Sequence, residues 1–233
     1  MNACEILLSH GVTRLCHFTK LQSLTHIISS EDGILATSGI CQDTIVQNDK
    51  ARYDGELDYV CCSVEYPNSW FLKHSRDNNP DKIFADWAVL YINPEILKIR
   101  QAKFCPCNAS RSSGAYIQSD MDKVGTLFNA SLKTYKYQRP GTMLSACPTD
   151  GQAEILIYKN IPLKYIIGIA VGNVDIAERV YAMLQMFGVC ELSIWISPAV
   201  LSTEWSGMAR NGKRAEEIQY RPEGGLNNGC YTK

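Results

Sequence analysis

The sequence predicts an α+β fold in which strands and helices interleave. Short apolar runs rich in β-branched residues, such as LDYVCCSVEY at 57–66 and YIIGIAV at 165–171, are typical of strands. Apolar residues also recur at helical spacing, first at Leu21, Leu24 and Ile27. The two patterns follow one another irregularly, so the regular β-α-β alternation of a doubly wound sheet is not predicted.

The predicted elements run from residue 2 to residue 197, and residues 105–150 form the least regular part, with short helices and loops. Turn residues punctuate them, for example Pro67 with Asn68 after the second strand. In chain order they are a helix at about 2–10, a strand at 13–19, a helix at 21–28 that exits through GIL at 33–35, a polar loop at 36–56, strands at 57–66 and 87–93, a helix starting at 94, strands at 153–158 and 165–171, a helix at about 174–187, and a strand at 190–197.

The chain length favours one domain. A sequence of 233 residues with 45% hydrophobic content can bury a substantial core. We therefore expect a single domain over residues 1–233, with its core at about 13–200. The polar, Gly- and Asn-rich tail at 203–233 is expected to fray.

Composition and charge limit the partners, the cellular location and the cysteine chemistry that we expect for the protein. A net charge of −1 excludes a wholly basic nucleic-acid binder, so any such contact depends on local patches. The N-terminus lacks the basic and apolar pattern of a signal peptide, and the longest apolar run is too short to span a bilayer. We expect a soluble, cytoplasmic protein without membrane contact. Ten cysteines without a C-x-x-C pair favour reduced thiols over disulfides or a metal, with structural zinc as the minor alternative.

Glu154 stands out because it lies inside the apolar run AEILIY at 153–158. On a strand, Gln152 and Glu154 would share one face, about 7 Å apart. Either this face opens into a cleft where an acid is useful, or the run is an edge strand whose Glu154 faces water. The G-x-G-x-x-G, P-loop, H-E-x-x-H and G-x-S-x-G motifs are absent, so the familiar nucleotide-fold and hydrolase chemistries lose support.

An ordered set of segments resembles the DarT family of nucleic-acid ADP-ribosyltransferases. The segments are HFT at 17–19, GIL at 33–35, RYDGELDY at 52–59, CCSVEYPNSW at 61–70, PEIL at 94–97, FCPCNAS at 104–110 and TDGQAEILI at 149–157. The similarity covers about residues 13–172 in the same order. It implies the ADP-ribosyltransferase fold, with two packed short β-sheets forming an NAD cleft among helices, and NAD as co-substrate without a metal. It also implies transfer of ADP-ribose to a base in single-stranded DNA by the toxin of a toxin-antitoxin or phage-defence system, with an antitoxin protein as partner.

The resemblance implies two catalytic residues. Glu154 would hydrogen-bond the nicotinamide ribose and stabilise the positive charge that develops as nicotinamide leaves. Arg52 would lie near the NAD phosphates and the acceptor base, where a guanidinium can grip phosphate or donate to a carbonyl. Without the resemblance, the position of Arg52 in the polar loop at 36–56 indicates an ordinary surface arginine.

The other residues that the resemblance implies fall into two groups. Contacts to NAD are expected from His17, Thr19, Gly33, Leu35, Ser63, Tyr66 and Gln152, although Tyr66 could equally pack in the core and Gln152 suits recognition of the acceptor. Contacts to the acceptor are expected from Asn108 and from the basic, aromatic segment before the Q-x-E strand, at Lys136, Tyr137 and Arg139.

One departure leaves the acceptor open. Some DarT relatives carry a histidine shortly after the N-A-S stretch, whereas this chain continues RSSGAYI. The alternatives are an ADP-ribosyltransferase that acts on messenger RNA, one that acts on protein, and an inactive binding module on the same fold. The presence of Glu154 together with Arg52 argues against the inactive module.

Overall fold

The computed structural model describes residues 1–40, 53–79, 85–132 and 138–222. Its α-helices are α1 (Ala3–Ser9), α2 (Leu21–Ile28), α3 (Ser69–Asp77), α4 (Val174–Met186) and α5 (Glu204–Arg210). Short 3₁₀ helices occur at Thr37–Gly39, Pro94–Lys98, Arg111–Gly114, Met121–Phe128 and Leu163–Tyr165. The strands are β1 (Leu15–Lys20), β2 (Ile34–Leu35), β3 (Tyr59–Val64), β4 (Trp87–Ile92), β5 (Ala102–Cys105), β6 (Glu154–Tyr158), β7 (Asn160–Ile161), β8 (Ile166–Val171), β9 (Ser193–Ile196) and β10 (Ile218–Gln219).

Eight of these strands form one mixed sheet in the order β10-β9-β8-β4-β1-β3-β6-β5. The pair β8–β9 is parallel and the other neighbours are antiparallel. β2 and β7 form a separate two-stranded sheet. The fold is therefore α+β, as the sequence predicts.

The eight-stranded sheet is nearly divided between β1 and β3. β1 pairs with β4 along its whole length, from Leu15 to Lys20. With β3 it pairs only at Leu15↔Val64 and Cys16↔Ser63, which we call the seam. The two short sheets expected from the sequence are thus two halves of one sheet, joined at the seam.

Both faces of the central strand β4 are buried, because every one of its residues lies in the core. Leu90 faces the main cluster, together with Leu24 of α2 and Val180 of α4. Val89 faces a second cluster that contains Trp205 of α5. Alternate residues of one strand therefore serve two cores, as expected for a strand covered on both sides.

Helix α3 and strand β5 are among the regular elements that were not predicted. Helix α3 carries its large apolar residues consecutively, at Trp70, Phe71 and Leu72, so no helical periodicity marks it in the sequence. It begins where the Asn68 side chain accepts a hydrogen bond from the Phe71 amide, which is ordinary N-capping. β5 lies just before the irregular region and is only four residues long.

The chain after residue 203 differs from the frayed tail that we expected. α5 buries Trp205, which is 2% exposed, and β10 pairs with β9. Arg214 forms an ion pair with the buried Glu65, and Glu217 pairs with Arg14. These contacts order the described part of the segment, and residues 223–233 lie outside the described residues.

None of the helices within the described ranges combines the length and apolar character that crossing a bilayer requires.

Candidate active site

A cleft of about 840 Å³ opens where β1 and β3 diverge beyond the seam. Its size falls within the range of roughly 300–1,000 Å³ that is typical of small-molecule sites. β1 and β3 form two of its walls, and α2, the segment 30–37 and α3 contribute the others. Among the residues expected at the site, the lining includes His17, Thr19, Gly33, Leu35, Ser63, Asn108 and Glu154.

Glu154 is the first residue of β6, where it pairs with Ser63 of β3 on one side and Cys105 of β5 on the other. Its side chain lines the cleft, although the residue is only 7% exposed. The Ala109 amide donates to Oε2 at 3.2 Å, and Asn108 Nδ2 donates to Oε1 at 3.5 Å. These donors orient the carboxylate at the cleft wall, so its face of the strand opens into the cleft rather than onto solvent.

His17 bridges the two strands that diverge. Its Nδ1 lies 2.9 Å from the Cys61 carbonyl oxygen. A carbonyl only accepts, so this contact assigns a proton to Nδ1, and in the neutral form of the ring Nε2 is then the acceptor nitrogen. Thr19, two residues further along β1, also lines the cleft and is 3% exposed.

Ser63 connects β3, the strand that pairs with β6 at Glu154, to helix α3. Its hydroxyl oxygen accepts a hydrogen bond from the Asn68 amide at 2.9 Å. Asn68 Oδ1 in turn caps α3. The residue that faces Glu154 across β3 and β6 is therefore tied to the start of the helix that forms another wall.

Three buried polar atoms on residues of the cleft lining have no hydrogen-bond partner within the described part of the chain. They are Ser23 Oγ, Asn68 Nδ2 and Trp87 Nε1. All three atoms are nearly inaccessible from the cleft as well as from bulk solvent, so they are a cost to the folded state and do not by themselves indicate a ligand.

Comparison with known proteins decides the family. Residues 16–204 match the model of the family described as DarT, ssDNA thymidine ADP-ribosyltransferase. The chain belongs to the DarT family. It is an NAD-dependent ADP-ribosyltransferase, with NAD as co-substrate.

Solved structures of DarT proteins share the fold. A Thermus sp. 2.9 DarT in complex with ADP-ribosylated ssDNA superposes with a TM-score of 0.62 at 16% identity, covering 82% of this chain and 96% of that one. The same protein in complex with NAD⁺ gives 0.60 at 18% identity, covering 81% and 96%. A Thermosipho africanus DarTG in complex with ADP-ribose gives 0.52 at 12% identity, covering 81% of this chain and 51% of that one. No curated protein matches the chain.

Three of the expected DarT site residues do not line the cleft. Gln152 lies in the turn before β6, where its amide donates to Asp150 Oδ1 at 2.9 Å. Tyr66 stacks on Trp205 with ring centroids 4.9 Å apart. Arg139 donates to the carbonyl oxygens of Cys147 at 2.6 Å and Leu144 at 2.7 Å, so its guanidinium holds a loop together.

Local backbone geometry accounts for the position of Tyr66. β3 ends at Val64, and Glu65 adopts a positive φ of 64°, which reverses the alternation that a continuous strand would keep.

Gly33 also has a positive φ, of 65°, and the Ile161 carbonyl oxygen lies only 2.2 Å from where a Cβ would stand, so the position requires glycine. Arg52, Lys136 and Tyr137 lie outside the described residues.

The cleft also contains residues that were not among the expected site residues. Tyr53 and Asp54 line it from the chain before β3, and Phe71 and His74 line it from the unpredicted α3. Lys20, at the end of β1, also lines it, and its Nζ donates to Asn79 Oδ1 at 2.8 Å. The segment RYDGELDY did point to 53 and 54, whereas nothing in the sequence pattern pointed to α3.

Two of the cysteines at this site, Cys16 and Cys62, are not expected to act as nucleophiles. Cys16 and Cys62 line the cleft, but burial raises the pKa of both thiols well above the ordinary range. Both therefore stay protonated at neutral pH, and a protonated thiol is a poor nucleophile. In residues 1–40, 53–79, 85–132 and 138–222 no cluster of three or more His, Cys, Asp or Glu side chains could hold a metal ion.

Proposed function

We propose that this enzyme transfers ADP-ribose from NAD to a thymidine base in single-stranded DNA, and that it does so as a toxin. The observation that carries the proposal is the carboxylate of Glu154, held by Ala109 and Asn108 at the wall of a cleft of dinucleotide size. The family description supports the choice of acceptor. An unpaired strand is required because the reactive atoms of a base are not accessible inside a duplex.

Glu154 is the proposed catalytic residue. When NAD is bound, cleavage of its glycosidic bond supplies the activated ribose. A fixed carboxylate beside the ribose stabilises the positive charge that grows there, and its effect is strengthened by exclusion of water. The low exposure of Glu154 and its two donors keep the carboxylate in place without reorganisation.

The remaining cleft residues are proposed to hold NAD. His17 Nε2 can accept from a ribose hydroxyl because Nδ1 is committed to the Cys61 carbonyl. Thr19, Ser63, Gly33 and Leu35 line the same cavity. Arg52 keeps its proposed role beside the phosphates and the acceptor base.

The acceptor strand is proposed to contact Asn108 and three residues of the segment before the Q-x-E turn, Lys136, Tyr137 and Arg139. Arg139 would act indirectly, by shaping the loop whose carbonyls it binds. Gln152, in the turn itself, is proposed to meet the acceptor rather than NAD. Messenger RNA is the alternative acceptor that the missing histidine after N-A-S leaves to be tested.

An antitoxin protein is the proposed partner. The Thermosipho africanus relative is a DarTG, whose name pairs the two components, and this chain covers 51% of it. We propose that the toxin acts in the cytoplasm, as in phage defence, and that this partner restrains its activity on the DNA of the cell that makes it.

The experiment incubates purified protein with labelled NAD and, separately, single-stranded DNA, duplex DNA, RNA and a protein mixture. Glu154→Gln keeps the size of the side chain and removes its charge, so transfer should fall by on the order of a hundredfold or more. Glu178→Gln on the exposed face of α4 is the matched control and should leave transfer unchanged.

Label on single-stranded DNA that is lost in Glu154→Gln supports the proposal. Label on RNA alone would replace DNA with RNA as the acceptor. Full activity of Glu154→Gln would remove Glu154 from the mechanism.

A further inference from the structure

Trp70 is an exposed aromatic residue next to the cleft. It is the second residue of α3, and 44% of its surface remains exposed. The residue after it, Phe71, lines the cleft, and Leu72 is fully buried. The Trp70 indole therefore lies outside the cavity, beside a residue that forms its wall.

Gly151 shows how close Trp70 lies to the turn that leads into Glu154. A Cβ added to Gly151 would stand 3.3 Å from Trp70 Cζ3 and 3.1 Å from Trp205 Cη2. Glu154 lies three positions after Gly151, and a chain segment of that length spans at most about 11 Å. The exposed indole thus stands beside the proposed site of transfer and not on a remote face.

Trp205 holds the Trp70 ring in place. The two ring centroids lie 6.3 Å apart, with the planes at 76°. Trp205 itself is 2% exposed and stacks on Tyr66 at an interplanar angle of 15°. A ring fixed in this way loses little further conformational freedom when a ligand stacks on it.

A cation accompanies the indole on the same side of the helix. Lys73 lies three residues after Trp70, and residues at this spacing are neighbours on a helix surface. Its ion pair with Asp77 is exposed, with side chains 65% and 59% accessible. Exposed pairs of this kind are weak, so Lys73 can turn to a phosphate.

We propose that Trp70 stacks on a nucleobase of the single-stranded DNA that flanks the acceptor base. An unpaired strand offers such bases, and stacking on an aromatic side chain tolerates any base because each has a π face. Lys73 binds a neighbouring phosphate. This inference rests on the proposed function and adds a subsite for the acceptor strand.

The test compares wild type with Trp70→Ala, Trp70→Phe and Phe187→Ala. Phe187 is the control, because it is an aromatic residue of similar exposure, 40%, at the end of α4. Trp70→Ala should weaken binding of a single-stranded oligonucleotide by roughly 5- to 150-fold, the range for loss of one stacked base. Trp70→Phe should retain most of the affinity, and Phe187→Ala all of it.

NAD binding separates loss of the subsite from damage to the fold. The rise in melting temperature on addition of NAD should be the same in wild type and Trp70→Ala, because Trp70 does not line the cleft. An oligonucleotide series with one abasic position at a time adds a second readout. One flanking position should weaken binding to wild type and have no further effect on Trp70→Ala.

Unchanged DNA binding by Trp70→Ala would overturn the subsite while leaving the proposed function intact. A loss of NAD binding equal to the loss of DNA binding would also overturn it. Failure of wild type to modify any single-stranded DNA would instead remove the proposed function, and the subsite with it.

Discussion

Asn108 determines where the Glu154 carboxylate points. Its Nδ2 contacts Oε1 of Glu154, while its Oδ1 accepts from the Ser110 amide at 3.0 Å and from the Ser110 hydroxyl. The second set of contacts shapes the loop that presents the Ala109 amide to Oε2. One side chain therefore supports both donors to the carboxylate.

Asn108→Ala should lower kcat for transfer by about 10- to 100-fold, because it weakens hydrogen bonds to a charged group, each of which is worth about 1.5–3 kcal/mol. The KM for NAD should change much less. Asn93→Ala is the control, since Asn93 makes a similar local turn, with Oδ1 accepting from the Glu95 amide at 3.0 Å, away from the cleft. Equal kinetics of Asn108→Ala and wild type would contradict the positioning role.

The structure places Glu154 at the cleft, as expected, but not Gln152, and the difference has a physical cause. An acid within an apolar strand is unusual in itself, so Glu154 is visible without any knowledge of the turn before it. Gln152 could share a strand face with Glu154 only if β6 began at residue 152, whereas β6 begins at Glu154. Asp150 Oδ1 binds the Gln152 amide instead, which makes residues 150–152 a turn, and alternation does not hold there.

At the scale of elements, α1 packs against the 3₁₀ helix Met121–Phe128 through a stacked pair of rings. The His10 imidazole lies 4.0 Å from the Phe128 ring centroid, at 11° to its plane. Burial, reinforced by the charge of Arg139, lowers the pKa of His10 below its ordinary value of 6.5. The folded protein therefore resists protonation of this ring.

This pKa shift predicts loss of stability in mild acid. Below pH 6.5 the unfolded chain binds a proton at His10 that the folded chain resists, so the free energy of unfolding falls as the pH falls towards the folded-state pKa. His10→Phe should flatten this part of the profile, as measured by urea unfolding at a series of pH values. Parallel profiles for wild type and His10→Phe would exclude His10 as the cause.

Helix α3 shows what the sequence could not indicate at this scale. The helix is stabilised by tertiary contacts, such as the edge-to-face packing of Phe71 on Phe18 and of Trp70 on Trp205. Periodicity reveals a helix only when its buried residues are spaced by three or four. Strands β1, β4 and β8 were predicted correctly, because the apolar and β-branched composition of a buried strand is visible in the sequence without its tertiary contacts.

At the scale of the whole molecule, distant parts of the chain meet at Arg14. Its Nη1 donates to Glu217 Oε2 at 2.8 Å and its Nε donates to the Glu65 carbonyl oxygen at 2.9 Å. Tyr91 donates to the same Glu217 oxygen at 2.7 Å, and its ring lies 3.8 Å below the Arg14 guanidinium carbon. The segment after α5 is thereby fastened to the strands that carry the cleft.

Arg14→Met should lower the free energy of unfolding by about 3–5 kcal/mol, because it leaves the largely buried Glu217 without its positively charged partner. The two side chains are 12% and 15% exposed. Lys98→Met is the comparison, since it breaks a pair with Glu95 whose side chains are 46% and 52% exposed, and should cost about 0–1 kcal/mol. Urea unfolding measures both, and a similar small loss in the two variants would show that burial does not matter here.

The seam between β1 and β3 has a consequence for how this enzyme diverges from its relatives. The cleft exists because a strand pairing stops after two residues, and that stop is a property of register and strand length, not of any one side chain. Most side chains can therefore be exchanged while the gap persists, which is consistent with a shared fold at 16% identity. Insertion or deletion of one residue near Cys16 or Ser63 would do more damage than many substitutions, because it would shift where the gap begins.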